Sequence, residues 1–427
     1  MPTTKPDRKS RQLHPGWTAA GVTFLTLVVT AGFRSAPSVL FMPLEMAFGW
    51  SRSQISLAVS INILLFGLVS PFAAALMERF TIRRVVMSAL LTIGLGATGT
   101  LFMTQPWHLC LLWGVVVGVG TGSMGLVFAA SVANRWFVKH RGLVVGALSA
   151  ASSTGQLVFL PGLSYLAVHI GWHAVSITVA SGAFLMIPLI YFFLRESPQT
   201  IGLKPFGAGA EWTPLPSSST PAGKLALMTL RDASREKNFW LLIGSFFVCG
   251  LSTNGLIGTH FIPACMDHGM MEVTAASLLA LIGVFDIVGT IASGWLTDRY
   301  DPRKLLFTYY FLRGCSLFLL PTILFSTVHP STLIFTLFYG LDWIATVPPT
   351  LVLCRQVLGI ERATVVYGWV FASHQIGGSV AALGAGILRQ QLGNYSVSFY
   401  IAGVACVVTA FFVLMISNKV SASELRS

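Results

Sequence analysis

Two stretches of sequence decide the fold of this chain: GWLTDRYDPRK at residues 294–304 and AALMERFTIRR at residues 74–84. Each stretch follows a long apolar run, and each places an acid, an arginine and two further cations at matching positions. A second pattern repeats at nearly the same offset, with NRWFVKHR at residues 134–141 matched by CR at 354–355 and ER at 361–362. A duplication of this kind in an apolar chain indicates two homologous membrane halves, which is the plan of alternating-access transporters.

The composition supports a membrane protein, because 54% of the 427 residues are hydrophobic and only 10% are charged. Soluble domains carry roughly 25% charged residues. A bilayer core of about 30 Å needs roughly 20 apolar residues per helix, and unpaired backbone groups are too costly in lipid for any open structure. We therefore predict an all-α integral membrane protein with twelve transmembrane helices in two six-helix pseudo-symmetric halves. The apolar runs lie at about residues 17–41, 54–77, 84–104, 107–133, 142–167, 173–194, 239–264, 274–297, 305–326, 331–353, 364–388 and 395–417.

The net charge of +12 follows the predicted topology. With the N-terminus in the cytoplasm, every lysine and arginine except Arg34, Arg52, Arg313 and Arg389 falls on the cytoplasmic side. This asymmetry is the positive-inside rule, and it predicts that both termini are cytoplasmic. The basic balance is therefore explained by topology and does not indicate a nucleic-acid partner.

The chain divides into five predicted parts. We expect a cytoplasmic tail at 1–16, a first half at 17–194, a cytoplasmic linker at 195–238, a second half at 239–417 and a second tail at 418–427. The linker is rich in proline, glycine, serine and charge, so it is not expected to span the membrane.

No motif for catalysis or for a cofactor is present. The six cysteines show no C-x-x-C spacing, so we predict neither a metal site nor a disulfide framework. A phosphate-binding loop, a zinc signature and a nucleophile elbow are all missing, so we predict no cofactor and no enzymatic activity.

The pattern Gly294-x-Leu296-x-Asp298-Arg299-x-x-x-Arg303-Lys304 resembles the loop signature of the major facilitator superfamily, and residues 74–84 resemble a degenerate copy. Residues 134–143 and the pair Phe285-Asp286 are similar to parts of the monocarboxylate and oxalate/formate-type carriers. The chain departs from those carriers at Thr290, where they place an arginine, and it lacks their usual first-helix signature. The resemblance implies a secondary transporter, monomeric by family default, in a bacterial inner membrane.

Four charged residues lie deep within predicted spans: Arg34, Asp286, Arg313 and Asp342. Each costs at least about 2.5–3.5 kcal/mol to insert, which marks it as a candidate functional residue. The resemblance implies that spans one, four, seven and ten line the cavity, so that Arg34 and Asp342 face the substrate. Arginine is suited to bidentate recognition of a carboxylate. The alternative is a set of structural ion pairs, joining Arg34 to Asp286 and Arg313 to Asp286 or Asp342.

Three groups of candidate site residues result. For substrate binding we predict Arg34, Asn62, Gln156, Asn254, Asp342, Trp343 and His374. For proton coupling we predict Asp286, His374 and Arg313, since a buried acid or a histidine can change its charge near neutral pH. For gating we predict the loop residues Glu78, Arg79, Arg135, Arg141, Asp298, Arg299 and Arg303.

The function predicted from these residues is secondary active transport of a small organic anion, preferably a carboxylate, by proton symport or anion exchange. Its partners would be the substrate, protons or a counter-anion, and the lipid bilayer. The alternative within transport is a drug or metabolite/proton antiporter whose central arginines are structural. A ligand sensor without turnover and an intramembrane enzyme are the alternatives from other classes. The sequence contains neither a signalling domain nor a catalytic pair to support them.

Overall fold

The structure is a computed structural model that describes residues 14–209, 222–358 and 363–417. Most of residues 1–16, the middle of the predicted linker and the tail at 418–427 lie outside this part of the chain. The described residues are mainly helical, with one isolated parallel β-bridge between Phe137 and Phe206.

The first half contains nine helices within the described residues. They are α1 (Pro15–Ser35), α2 (Phe41–Phe48), α3 (Arg52–Phe80), α4 (Ile82–Thr100), α5 (Pro106–Leu109), α6 (Gly118–Gly122), α7 (Leu126–Trp136), α8 (Arg141–His169) and α9 (Trp172–Phe193). A π-helical segment, Cys110–Val117, joins α5 to α6, so that these pieces and α7 together form the fourth span.

The second half follows the short helix α10 (Ala222–Ala233). Its helices are α11 (Lys237–Gly250), α12 (Gly258–Asp267), α13 (Glu272–Thr297), α14 (Pro302–Ile323), α15 (Pro330–Asp342), α16 (Val347–Leu358), α17 (Ala363–Leu392) and α18 (Ser396–Val413). The π-helical segment Leu251–Ile257 joins α11 to α12 within the seventh span.

Twelve membrane-spanning segments can be recognised. Ten segments of the described chain are long and apolar enough to cross a bilayer, and the 29-residue α8 and 30-residue α17 supply the fifth and eleventh spans. Large apolar side chains lie on the outer surface, such as Phe102 at 77% exposure and Leu185 at 72%. A lipid-facing surface accounts for this exposure, which water would disfavour. The predicted all-α membrane architecture is confirmed.

The halves meet along two pairs of helices, α3 against α17 and α8 against α13. The Ser60 and Ser379 hydroxyl oxygens lie 2.8 Å apart across the first pair. Gly67 permits this close approach, because a Cβ atom there would lie 2.4 Å from Cβ of Gln375. The contact between the halves is therefore tight along the middle of α3.

The two ends of the bundle differ in charge. We call the end where α1 begins the basic end; it carries Arg83, Arg135, Arg299 and Arg303. The opposite end, which carries Arg52, Asp267 and Arg389, is called the far end.

Candidate substrate cavity and gates

A central cavity of about 260 Å³ lies between the halves and is lined by both of them. Its polar lining residues are Arg34, Ser35, Ser38, Asn62, Thr253, Asn254, Thr259, His374 and Gln375. Its aromatic lining residues are Phe66, Phe246, Trp343, Tyr367 and Phe371. A mainly apolar wall with a few converging polar groups is the usual composition of a small-molecule site. The predicted residues Arg34, Asn62, Asn254, Trp343 and His374 are therefore brought together.

Arg34 is placed at the cavity by the close packing of α1 against α8. A Cβ atom at Gly155 of α8 would lie 2.2 Å from the carbonyl oxygen of Val28, so the two backbones touch directly. The Arg34 guanidinium carbon lies 4.1 Å from the centroid of the Phe66 ring, a cation–π contact. Within the described chain, no carboxylate forms an ion pair with Arg34 and no hydrogen bond to its guanidinium is formed. The guanidinium donors are thus directed to the cavity without a protein anion.

The two asparagines at the cavity are held differently. Asn62 of α3 donates from Nδ2 to the carbonyl oxygen of Trp113, at 2.8 Å, and is 6% exposed. Asn254 lies in the π-helical segment of the seventh span, a type of irregularity that often marks functional positions. The structure does not describe the side chain of Gln156, so its predicted role remains a prediction.

His374 is packed among aromatic rings at the second-half wall. Its ring centroid lies 5.0 Å from that of Phe246 and 5.9 Å from that of Phe371. Its Nε2 atom lies 3.5 Å from the Thr253 hydroxyl oxygen, and the residue is 9% exposed. Its Nδ1 atom lies 3.4 Å from Gln375 Nε2, so His374 is a lining residue with weak polar contacts on both ring nitrogens.

Arg313 and Asp342 form a buried ion pair below the cavity wall. The Arg313 Nε atom donates to Asp342 Oδ2 at 2.6 Å, and Arg313 is 1% exposed. The same guanidinium also donates to the carbonyl oxygen of Asp342 at 2.5 Å and to Cys249 Sγ at 3.1 Å. Asp342 is not among the described lining residues, because its carboxylate is turned toward α14. This ion pair is one of those expected if Arg313 has a structural role instead of a role in transport.

The tenth span is interrupted between α15 and α16, at residues 343–346. Pro348 and Pro349 explain the break. They have no backbone N–H groups, so the carbonyl groups one turn before them lose the partners that a continuous helix would provide. Side chains of α13 bind the freed backbone: Asp286 Oδ1 accepts from the Ile344 N–H at 2.9 Å, and the Ser293 hydroxyl donates to the Ala345 carbonyl at 2.5 Å.

Asp286 is 2% exposed, and its hydrogen bond with the Ile344 N–H anchors the interrupted span. The Thr290 hydroxyl donates to its Oδ1 at 3.0 Å. Thr290, which stands where the monocarboxylate carriers place an arginine, thus contacts Asp286 one helical turn away.

The fourth span is interrupted at the equivalent place of the first half, between α6 and α7. The glycines before that break permit close contact with α3 and α4: a Cβ atom at Gly120 would lie 2.9 Å from the Ala89 carbonyl oxygen, and one at Gly122 would lie 2.9 Å from that of Leu65. Broken helices at matching positions in two halves mark the binding region of many transporters. The position of the cavity agrees with this rule.

At the basic end, the described gating residues are held within their own halves. Arg135 pairs with Glu196 and donates to the Met77 carbonyl at 3.2 Å. Arg299 donates to the Trp295 carbonyl of its own helix at 3.0 Å, while Asp298 is exposed. The side chains of Glu78, Arg79 and Arg141 are not described.

Arg303 binds the acid that precedes its helix. Its Nη2 lies 2.6 Å from Asp301 Oδ2, and its Nη1 donates to the Ile416 carbonyl at 3.1 Å. The hydrogen bond from Arg303 lowers the pKa of the Asp301 carboxyl. The bond to Ile416 joins α14 to the segment that follows α18, within the second half.

At the far end, an ionic network joins the two halves, and the sequence analysis did not anticipate it. Arg52 of α3 contacts Glu45 at 2.8 Å and Asp267 of α12 at 3.1 Å, and Arg389 of α17 contacts Asp267 at 2.6 Å. The Ser53 hydroxyl also donates to Gln390 at 2.5 Å. Among the described residues, the ion pair between the halves, Arg52 with Asp267, lies at this end, while Arg389 holds Asp267 from within the second half. We call the four charged residues the far-end network.

Comparison with known proteins identifies what the chain is similar to. The model of the Major Facilitator Superfamily matches residues 22–382. The uncharacterized MFS-type transporter YcxA of Bacillus subtilis is 24% identical over 89% of this chain and 90% of its own. Monocarboxylate transporter 13 of Bos taurus is 26% identical over 91% of this chain and 86% of its own.

A solved structure of a bacterial homologue of the human lysosomal transporter Spinster, in an inward-facing and occupied conformation, superposes with a TM-score of 0.69. That protein is 17% identical, and the match covers 93% of this chain and 96% of the other. At this identity the likeness concerns the fold.

Proposed function

Because this chain belongs to the Major Facilitator Superfamily and is a transporter and not an enzyme, we propose that it carries a small organic monocarboxylate across the membrane. Transport proceeds by alternating access of the central cavity, by proton symport or anion exchange. The relatives named monocarboxylate transporters, matched over about nine-tenths of this chain, support this substrate class.

The observation that carries the proposal is the Arg34 guanidinium. It lines the cavity, contacts the Phe66 face at 4.1 Å, and has no carboxylate partner in the described chain. A cation at this depth without a counter-ion is costly in a membrane. A substrate carboxylate provides the missing charge and two acceptor oxygens in the geometry that a guanidinium binds. Arg34 is the one arginine or lysine in the described lining, so a single carboxylate is favoured over a dicarboxylate.

The other residues that line the cavity indicate the chemistry of the rest of the substrate molecule. Phe66, Trp343, Tyr367 and Phe371 offer flat apolar surfaces on both halves. A small, flat and mainly apolar monocarboxylate, such as benzoate, suits that wall. Asn254 and His374 are the candidate ligands for a polar substituent.

The coupling is proposed to involve Asp286. A carboxylate accepts a hydrogen bond more strongly than a neutral acid does, so a proton on Asp286 weakens its hold on the Ile344 N–H in the interrupted span. Binding and release of that proton then change the stability of a cavity-lining element, since Ile344 lines the cavity. His374 is a second candidate for the coupling proton.

The orientation is proposed from charge. The basic end faces the cytoplasm of a bacterial cell and the far end faces outside, in agreement with the positive-inside rule. The far-end network then closes the external side, and the structure represents an inward-facing state. Both termini are cytoplasmic on this assignment, and the protein lies in the plasma membrane.

The test is thermal stability of the purified protein against a ligand panel, because a ligand that binds only the folded state raises the melting temperature. The panel contains lactate, benzoate, a dicarboxylate, a neutral sugar and a cationic drug. We expect stabilisation by monocarboxylates, greatest for benzoate, and its loss in Arg34→Ala. Arg83→Ala is the matched control, because Arg83 also stacks on an aromatic ring, that of Tyr191 at 5.3 Å, but on the protein surface. Stabilisation by the sugar or the drug alone would refute the carboxylate assignment and favour the antiporter alternative.

A further inference from the structure

A buried acid at the far end, Glu272, is used neither by the cavity nor by the far-end network. It is the first residue of α13 and is 7% exposed. Its Oε1 accepts a hydrogen bond from the Ser164 hydroxyl of α8 at 3.3 Å. Since α8 belongs to the first half and α13 to the second, this bond crosses the interface between the halves.

Glu272 has no cation to balance a negative charge. No described lysine, arginine or histidine forms an ion pair with it. Its partner Ser164 is completely buried, so water does not reach the bond from that side. An ionised carboxylate costs far more to bury than a neutral carboxyl group does. Burial without a cation therefore favours the protonated acid, although the hydrogen bond from Ser164 partly offsets this.

The titratable groups on the helices around Glu272 are occupied elsewhere. On α8, Tyr165 and His169 stack on each other, with ring centroids 4.1 Å apart. Beside α12, Asp267 binds Arg52 and Arg389, and His268 Nδ1 contacts the Ala264 carbonyl.

Other titratable or charged groups on helices packed against α13 also lie elsewhere. His260 of α12 contacts the Ala382 carbonyl oxygen at 2.7 Å and the Tyr395 hydroxyl at 3.2 Å. Arg355 of α16 is exposed near the basic end.

His329, before α15, contacts Thr327 and the Phe325 ring. On α14, Arg313 is paired with Asp342.

We propose that Glu272 is a proton-binding site that controls closure of the far end. When the halves separate there, the contact with Ser164 breaks and Glu272 meets the external solution, where it ionises. A proton taken from that solution neutralises Glu272 and permits the α8–α13 contact to close again. The proton returns to the same side when the far end reopens, so Glu272 sets the external pH dependence without adding a proton to the transport stoichiometry.

This inference extends the proposed alternating access but is independent of the substrate. The experiment places spin labels on Thr104→Cys of the first half and Thr327→Cys of the second, both exposed loop positions near the far end. The six native cysteines are replaced by serine or alanine, and the distance distribution is measured in lipid without substrate as a function of pH.

We expect the closed population to fall as pH rises, because ionised Glu272 opposes burial. Above the midpoint, the ratio of closed to open protein should change by up to about tenfold per pH unit, the limit for one titrating group. In Glu272→Gln the far end should stay closed at every pH, whereas Glu272→Asp, which keeps a titratable carboxyl, should retain a pH response. Glu236→Gln is the control, since Glu236 is an exposed acid at the basic end.

An unchanged pH response in Glu272→Gln would overturn the proposal, as would a pH-independent distance in the parent protein. Because no substrate is present, either result leaves the carboxylate assignment to be judged by the thermal-shift panel alone. Conversely, if no monocarboxylate stabilised the protein in the thermal-shift panel, the expected pH dependence of the spin-label distances would be unaffected.

Discussion

At the residue scale, the two intramembrane arginines have opposite environments. Arg313 is 1% exposed and bound to Asp342, whereas Arg34 lines the cavity without a described anion. The sequence predicts that both are costly and therefore significant, but it does not predict which one is neutralised. Which arginine meets an acid depends on how each helix is rotated about its axis, and the apolar pattern of the sequence does not specify that rotation. Asp342 illustrates this, because its position in a cavity-lining span is correct while its carboxylate points away from the cavity.

Arg34→Lys should weaken carboxylate binding more than charge alone predicts. Lysine keeps the positive charge but loses the paired donors of the guanidinium and its planar stacking on Phe66. We expect the dissociation constant for the best monocarboxylate to rise about tenfold in Arg34→Lys and about a hundredfold in Arg34→Ala, the range for hydrogen bonds to charged groups. Titration calorimetry measures both. Equal affinity in all three proteins would exclude Arg34 from the site.

Asp342→Asn should destabilise the protein strongly. The substitution leaves the Arg313 guanidinium buried without a counter-charge, which costs about 3–5 kcal/mol when a buried pair is broken. Thermal or denaturant unfolding in detergent measures the loss. Asp301→Asn is the matched control, because it breaks an ion pair of the same 2.6 Å length at the protein surface. A similar small effect in both variants would show that the buried pair has no structural role.

At the element scale, the interruption of the tenth span is explained by two adjacent residues of the sequence. Pro348-Pro349 indicates a distortion of that helix, and the break lies immediately before it. The sequence does not predict how the freed backbone is bound, because Asp286 and Ser293 come from a helix more than 50 residues earlier. We expect the interruption to act as a flex point when this wall of the cavity moves.

Pro348→Ala with Pro349→Ala should make the span more regular. The restored N–H groups favour bonds to the carbonyls of Ile344 and Ala345, the latter now bound by Ser293. We expect a higher melting temperature and a transport rate lowered about tenfold, because the flex point is lost. Unfolding and uptake rates measured on the same preparation check this. An unchanged rate together with greater stability would show that the interruption is not needed for movement.

Asp286→Asn should separate binding from coupling. Asparagine still accepts the Ile344 N–H bond through its carbonyl oxygen but does not take up a proton. If Asp286 carries the coupling proton, substrate exchange should persist while accumulation driven by a proton gradient is lost. Uptake into proteoliposomes with and without an imposed pH gradient measures the two. Full gradient-driven accumulation in the variant would exclude Asp286 as the carrier.

At the scale of the whole molecule, composition, twelve apolar runs and a repeated loop pattern were sufficient to predict the architecture, because lipid imposes helices of one length. The closed end was not predictable. Arg52 and Asp267 are 215 residues apart in the chain, and their contact depends on how the two halves tilt. The sequence does supply one signal in retrospect: opposite charges stand at the predicted outer ends of spans that belong to different halves.

Asp267→Asn should shift the molecule toward an open far end. The variant loses its ion pair with Arg52, which joins the halves, and its ion pair with Arg389 within the second half. With about 0.5–1 kcal/mol for the one partly exposed pair that crosses the halves, the ratio of closed to open protein should fall roughly two- to fivefold. The spin-label pair at Thr104 and Thr327 measures this, with Asp301→Asn as a control that breaks a pair within one half. A distance distribution like that of the parent protein would show that the network does not hold the halves together.

The most direct test of the central claim is uptake by proteoliposomes that contain only this protein. Vesicles loaded with unlabelled benzoate are diluted into labelled benzoate, and the label inside is followed over time for the parent protein, Arg34→Ala and Arg83→Ala. We predict rapid exchange by the parent and by Arg83→Ala, and little above empty vesicles for Arg34→Ala. Exchange that survives in Arg34→Ala, or a parent protein that moves neutral or cationic compounds but no monocarboxylate, would contradict the account.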